Sequence, residues 1–561
     1  MFAARRLSTW TATSCVVLTA GTLLCFSLPV LAAPSPLIDT ALARKDLEFQ
    51  ARTAQKQGNW LVAVRLYDEA FHNRDKEKIS PELRQAYQEC LRRYLLQRRL
   101  NDRMYRDALA ALNWREARDI LNQVLGTLSK HYYDRQKIEP AVLFQNGIQE
   151  LLFALDDEAF TKTYFGTSDQ KRLQPLRTKL NELKEGFKNQ ADLKWNDASV
   201  KVMEAAQQAQ ALGLSANLNR TIVVFLLEFA CGACNALDEY SLYLTPFYIN
   251  AMRGKYVGVG IDLAITGQNL EVSRVYPSSP AEEQGLLPGD RIRKINAEAI
   301  ENLTPDAVAE RLLGEPDTLV ELEVVRGEVE LLKVKLVRRA AVGPSVEHHM
   351  IGEMGSPEYI GYIRINHFEE STAQDVKEAL AQLQTAGMKA LILDLRGNPG
   401  GLFKASVQVS ELFLGDGGVI VLTRGQLKDF NRPYKAEAGN PFTAPMVVLV
   451  DGDTASAAEV LAGALKDNER AKLIGQTSFG KCTIQQIIPL ERSFGGIRIT
   501  VGKFTSPLKN NIGGVGITPN IVVIDTANYT ALNAAINEVR ILLGKPAAMP
   551  MSPDMMMNPM Q

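Results

Sequence analysis

The chain has 561 residues, 46% apolar and 23% charged, enough for about three or four globular domains and unlike a disordered or collagen-like sequence. Its 63 Lys and Arg almost balance 64 Asp and Glu, for a net charge of −1. That balance excludes a broad basic field for nucleic acid or an anionic membrane. The five His show no metal-ligand spacing beyond the adjacent pair His348 and His349, so the sequence implies no metal and no cofactor.

Residues 1–33 read as an export signal. Arg5 and Arg6 form a basic head, Cys15 to Leu31 an apolar stretch, and Val30-Leu31-Ala32 a small-residue site for a cut after Ala32 or Ala33. An uncleaved membrane anchor is the alternative, although the run of about 17 residues is interrupted by polar residues and short of the ~20 that a span needs. Export places the chain in the periplasm or another extracytoplasmic compartment. Cys231-Gly-Ala-Cys234 lies inside the apolar run TIVVFLLEFACGACNAL, where packed thiols or a local disulfide fit better than redox chemistry.

Residues 34–135 read as helical hairpins. Trp60, Ala63, Leu66, Tyr67 and Ala70 form one helical stripe, and Trp114, Ala117, Ile120, Leu121 and Val124 another. Both stripes resemble the second helix of a tetratricopeptide repeat, but the two Trp are 54 residues apart, against about 34 for that repeat. A degenerate repeat array and a plain bundle both stay open, and the stripes imply a protein partner or self-association. Residues 136–253 also read as helical, with a charged insert, and are expected to pack in part on the α/β domain at 341–540. From 254 to 340 the pattern becomes short β-branched runs separated by turns, a small β-rich domain. Residues 341–540 alternate strand and helix, which argues an α/β layered domain. The tail 541–561 has no packing period and reads as disordered. The fold class is therefore multidomain α+β.

Strand MVVLVD breaks at Gly452-Asp453-Thr454, and a helix begins near Ser456. A serine there is placed as a nucleophile beside converging backbone N–H groups, but also as an ordinary helix cap. Glu459, Gly463 and Asp467 follow on one helix face. Ser478-Phe479-Gly480-Lys481 comes next, with Gln485 four residues later. Upstream, Asp394-Leu395-Arg396-Gly397-Asn398-Pro399-Gly400-Gly401 ends a buried strand in a glycine turn able to aim an N–H at a developing oxyanion. No Ser-His-Asp set is evident, and His367 reads as a strand histidine.

These motifs, in this order and with 25 residues between Ser456 and Lys481, resemble the carboxy-terminal processing proteases, or tail-specific serine peptidases. The resemblance covers about residues 230–540: a PDZ domain at 254–340 and a crotonase/ClpP-like α/β protease core at 341–540. It implies a Ser–Lys dyad in which Ser456 is the nucleophile, Lys481 the general base and Gln485 the group that orients the base. Glu459, Asp467 and Arg396 would support the site. Gly400 or Gly401, with the N–H of Ala457, would form the oxyanion hole. In the PDZ domain, Val257, Gly258, Val259, Gly260 and Ile261 would receive the terminal carboxylate of a peptide that adds as a strand. Implied partners are proteins or peptides with exposed C-termini.

Lysine acts as a base only when neutral, and its ordinary pKa is about 10.4. Phe479 and Ile484 imply an apolar setting for Lys481, and Gln485 a neutral partner; Glu459 is expected to turn away from the amine or pair elsewhere. Three positions depart from the family pattern: Ala458; Cys482, where glycine is usual beside the base; and Asn520, where the downstream pattern has an Asp that carries no assigned catalytic role. The rival class is a catalytically silent PDZ and helical-repeat scaffold that binds peptide tails.

Overall fold

The computed structural model describes residues 41–546 apart from 72–78, 189–191, 215–216, 253–255, 267–268, 302, 304, 328–329, 340–343, 353–358, 438, 492–493 and 524–529. The export segment 1–33 and the last residues of the tail lie outside the described residues. The chain divides into two compact units, one built on Val257–Gly343 and one on Glu48–Tyr256 together with Pro344 onward.

The first half is helical: α1 (Ala41–Lys56), α2 (Trp60–Phe71), α3 (Pro81–Asn101), α4 (Arg103–Ala111), α5 (Trp114–His131), α6 (Pro140–Asp156), α7 (Glu158–Phe165), α8 (Gln170–Lys188), α9 (Trp195–Ala211) and α10 (Leu218–Asn235). Helix α10 is buried without interruption from Thr221 to Cys234. A helix that is apolar all round has to sit at a centre, and α5, α6 and α9 pack around it. It is the helix among the described residues with the length and composition to cross a bilayer, yet it is mostly buried inside the fold. Ion pairs anchor α3 to this centre: Arg92 Nε to Glu150 at 2.8 Å, and Arg99 Nη2 to Glu150 at 2.9 Å and Glu228 at 2.6 Å. Cys231 and Cys234 are buried free thiols, as is Cys90, while Cys482 is partly exposed.

The Trp60 and Trp114 stripes turn mostly inward, with Trp60, Leu66 and Trp114 half-buried. Ala63, Tyr67 and Ala70 are buried, as are Ala117, Ile120, Leu121 and Val124. Helix α5 packs on α9 and α10, which come much later in the chain, whereas α2 packs on its neighbour α3.

After β1 (Leu242–Leu244) and α11 (Pro246–Met252) comes the small β unit. Its elements are β2 (Ile261–Thr266), β3 (Asn269–Val275), α12 (Pro280–Glu283), β4 (Arg291–Ile295), β5 (Glu298–Ala299), α13 (Pro305–Leu312), β6 (Leu319–Arg326) and β7 (Glu330–Val337). The antiparallel sheet runs β2-β3-β4-β6-β7, with β5 beside β4, and β2 is an edge. Val259, Ile261, Val272, Ile292, Val320 and Leu322 are among its core residues.

The remainder holds β8 (Val346–Ile351), β9 (Ile360–Ile365), α14 (Thr372–Thr385), β10 (Ala390–Asp394), α15 (Phe403–Glu411), β11 (Val419–Gly425), β12 (Pro433–Lys435), β13 (Met446–Val450), α16 (Ala457–Asp467), β14 (Lys472–Gly475), β15 (Thr483–Pro489), β16 (Gly496–Thr505), β17 (Ile521–Val522) and α17 (Thr530–Leu542). One sheet runs β17-β14-β13-β10-β9-β8 and is parallel except for β8. Strands β10 and β13 are buried along their whole length, as continuous apolar runs predict. A second, antiparallel sheet runs β1-β16-β11-β12, with β15 on β16, so the helical region contributes its edge strand β1. Helix α17 runs past the expected boundary at 540 because Ala531, Ala535, Ile536 and Val539 pack on the parallel sheet.

Helices α6 and α10 touch where Gly232 has no side chain. A Cβ there would lie 2.5 Å from the Asn146 carbonyl oxygen and 2.6 Å from Glu150 Cβ. Gly232→Ala is expected to destabilise the bundle by about 1–3 kcal/mol, read as a lower urea midpoint.

Candidate active site

Three loops leave the carboxyl ends of β10, β13 and β14, the end of a parallel sheet where sites form. The β13 loop carries Ser456, which takes φ 55° and ψ −114° before α16 begins at Ala457. A helix-capping serine has extended dihedrals, whereas a non-glycine residue at positive φ stores strain of about 1–3 kcal/mol. Asn398 and Thr454 hold this turn. Ala455 N donates to Asn398 O at 2.9 Å, and the Thr454 hydroxyl to Leu395 O at 2.9 Å.

Glu459, in the first turn of α16, is buried, and both of its oxygens face donors. Oε2 accepts from Ser456 N at 2.8 Å and from Lys481 N at 2.8 Å. Oε1 accepts from the Ser478 hydroxyl at 2.6 Å and from Gly480 N at 2.7 Å. Burial pushes the Glu459 carboxyl up to about 7, against the pull of these four donors. The expectation that Glu459 pairs away from the lysine amine is met by the loop backbone. Lys481 is 8% exposed, and its Nζ lies 4.8 Å from the centroid of the Tyr240 ring.

The β10 turn approaches Ser456 through Gly400. Its φ is 102°, and a Cβ there would lie 2.8 Å from Ser456 Cβ and 2.9 Å from Ala457 N, so only glycine fits. Gly400 N donates to Asn398 Oδ1 at 2.8 Å. Of the two glycines proposed for an oxyanion hole, Gly400 is therefore committed to the turn. The N–H groups of Gly401 and Ala457 carry no hydrogen bond among the described residues.

Other expected site residues lie further out. Arg396 pairs with buried Asp394, Nη2 to Oδ2 at 2.7 Å. Burial raises the Asp394 carboxyl, but Arg396 outweighs it and holds the group below its ordinary value. Gln485 Nε2 donates to Thr500 Oγ1 at 3.4 Å. Asp467 does not support the site: it ends α16, roughly 16 Å along the axis from Ser456, and accepts from Leu508 N at 3.0 Å. His367 faces Glu369 at 3.6 Å.

The sequence reading missed Asn398, Thr454 and Asp451. Asp451 accepts from Gly397 N, Asp453 N and Thr454 N, each at 3.0 Å, and so ties the β10 turn to the β13 turn. The available signal was Asp, Asn and Thr within two glycine turns, residue types that bind nearby backbone N–H groups.

In the small β unit, Val257 N donates to Gly314 O at 2.8 Å, which removes Val257 from the expected carboxylate donors. The N–H groups of Gly258, Val259 and Gly260 have no partner among the described residues. They precede Ile261, where edge strand β2 begins.

The model of Peptidase family S41 matches residues 359–523, and that of a PDZ domain residues 271–326. The carboxy-terminal-processing protease of Bartonella bacilliformis is 35% identical over 302 residues, 52% of this chain and 68% of the relative. That of Picosynechococcus sp. is 36% identical over 293 residues, 51% of this chain and 70% of the relative. That of Synechocystis sp. is 35% identical over 272 residues, 48% of this chain and 63% of the relative. Among solved structures, a photosystem II D1 C-terminal processing protease covers 78% of this chain and 99% of its own, with 23% identity and a TM-score of 0.42.

The Glu459 carboxyl moves from 4.5 to about 7 on folding, so the folded state prefers its protonated form. The stability linked to that preference is fully present below about pH 4.5 and is lost as pH rises through about 7. Glu459→Gln removes this dependence. Its stability relative to wild type should therefore improve across that window, as read by urea unfolding at several pH values. A difference that stays flat with pH would contradict the assignment.

Proposed function

The chain belongs to the carboxy-terminal processing serine proteases, peptidase family S41 with a PDZ domain, and from that premise we propose that it is an exported endopeptidase with a Ser456–Lys481 dyad. One observation carries the reading: a single oxygen of Glu459 binds the backbone N–H of both Ser456 and Lys481. Strain at Ser456 supports the nucleophile role over that of a cap.

In this reading neutral Lys481 takes the hydroxyl proton as Ser456 Oγ attacks the scissile carbonyl. Gly401 N–H and Ala457 N–H receive the oxyanion, since Gly400 N–H is engaged by Asn398. The lysine proton passes to the departing amine, which leaves an acyl-Ser456 ester. Lys481 then draws a proton from water, whose oxygen attacks the ester carbonyl, and returns it to Ser456 Oγ as the ester bond breaks and the acid product leaves. Substrate C-termini are held by Gly258, Val259 and Gly260 N–H groups, while the peptide adds beside β2. The basic and apolar pattern of residues 1–33 is the support for export.

Ser456→Ala and Lys481→Arg are each expected to lower peptide hydrolysis by roughly a thousandfold or more, the latter because a guanidinium stays protonated. Full turnover in either variant would favour a silent scaffold or another nucleophile. A peptide with a free C-terminus should be cut faster than its amidated twin in a competition assay, and equal rates would remove the PDZ-capture step alone.

A further inference from the structure

The loop between α10 and β1 carries Tyr240, and several bonds fix it. Tyr240 N donates to Asp238 Oδ1 at 3.0 Å, and Arg498 Nε donates to Tyr240 O at 2.8 Å. The next residue, Ser241, accepts at Oγ from Thr500 N at 3.1 Å. Thr500 is also the acceptor for Gln485. Strand β1 then pairs with β16, Leu242 opposite Arg498. The ring is thereby held against Lys481, 4.8 Å from its Nζ to the centroid.

We propose that Tyr240 is a positioning residue for the reaction, its ring holding the Lys481 ammonium so that the loop joining the helical bundle to the core governs how readily the amine is released as a base. This rests on the reading of Lys481 as the base. An aromatic face attracts an ammonium far more than a neutral amine, so the ring fixes the side chain and at the same time opposes loss of its proton. The groups that bear electrostatically on Tyr240 include Asp238 and Glu239 of its own loop, Asp68 of α2, Tyr87 of α3 and Cys482 beside the lysine. Arg498 of β16 adds a buried cation at its carbonyl. These charges are common to every variant proposed below, so a change in the ring alone is read against a constant background.

The test is competitive labelling with acetic anhydride across pH, read by mass spectrometry of the Lys481 peptide. It follows this amine alone, whereas an activity profile also contains the titration of Glu459 near 7. Tyr240→Leu keeps apolar bulk without the ring, and its Lys481 midpoint should fall by roughly half to one pH unit. Tyr240→Phe keeps the ring and should leave the midpoint in place. Tyr240→Trp, with the stronger ring, should raise it, and with Phe it forms a test that stands even where the Leu variant fails to fold. A Leu midpoint equal to wild type, a Phe midpoint that moves as far as Leu, or an unmoved Trp midpoint overturns the proposal. If the labelling midpoint moves but the pH profile of hydrolysis does not follow, the Tyr240 contact stands and the assignment of Lys481 as base falls.

Discussion

The site depends on one buried carboxylate, that of Glu459. Removing a carboxylate from water costs several kcal/mol. Four hydrogen bonds to the charged group, each stronger than a bond between neutral groups, offset only part of that cost, and the carboxyl is still pushed up to about 7. Their donors come from three places in the chain: the strained Ser456, Ser478 with its hydroxyl, and the consecutive N–H groups of Gly480 and Lys481. Without the acceptor the loop after β14 would bury unpaired N–H groups. Glu459 thus converts the separation of 25 residues between Ser456 and Lys481 into a fixed backbone relation.

The same device recurs at the neighbouring strand ends. Asp451 gathers N–H groups from the β10 and β13 turns. Asp394 binds Arg396 and, at 2.5 Å, the Tyr362 hydroxyl. Each acid lies where a parallel strand ends and its loop must turn sharply. The acids there satisfy loop donors that no strand can reach, and that is how a residue such as Ser456 is kept at a positive φ.

Much of this was legible in the sequence because glycine turns and apolar strands are local signals. The turn at Gly397–Gly401, the break before Ser456 and the loop through Lys481 all lie where the motifs put them. Asp467 was misjudged because periodicity reports which helix face a residue shares with Ser456, not how far along the axis it lies. The choice between Gly400 and Gly401 stayed open because the acceptor that engages Gly400, the side chain of Asn398, is a property of the folded turn. The Trp60 and Trp114 stripes were read as a surface because an amphipathic pattern does not say what covers it. For the Trp114 stripe the covering came from later helices gathered around α10, whose continuous burial marks it as a centre, and for the Trp60 stripe from the adjacent α3.

That packing changes what the helical region is. Its buried residues and those of the protease core form one continuous hydrophobic cluster, from Tyr105 and Leu128 through Ile497 and Val501. Tyr133 N donates to Thr500 O at 3.0 Å, and β1 extends the β16 sheet. Elements that share a core and a sheet fold together, whereas the Val257–Gly343 unit has a core of its own. The helices are therefore not an appendage joined to a finished enzyme. They complete the sheet that carries Gln485 and Thr500, and they deliver the Tyr240 loop to Lys481, so a change in the bundle reaches the proposed base through packed side chains rather than through a linker.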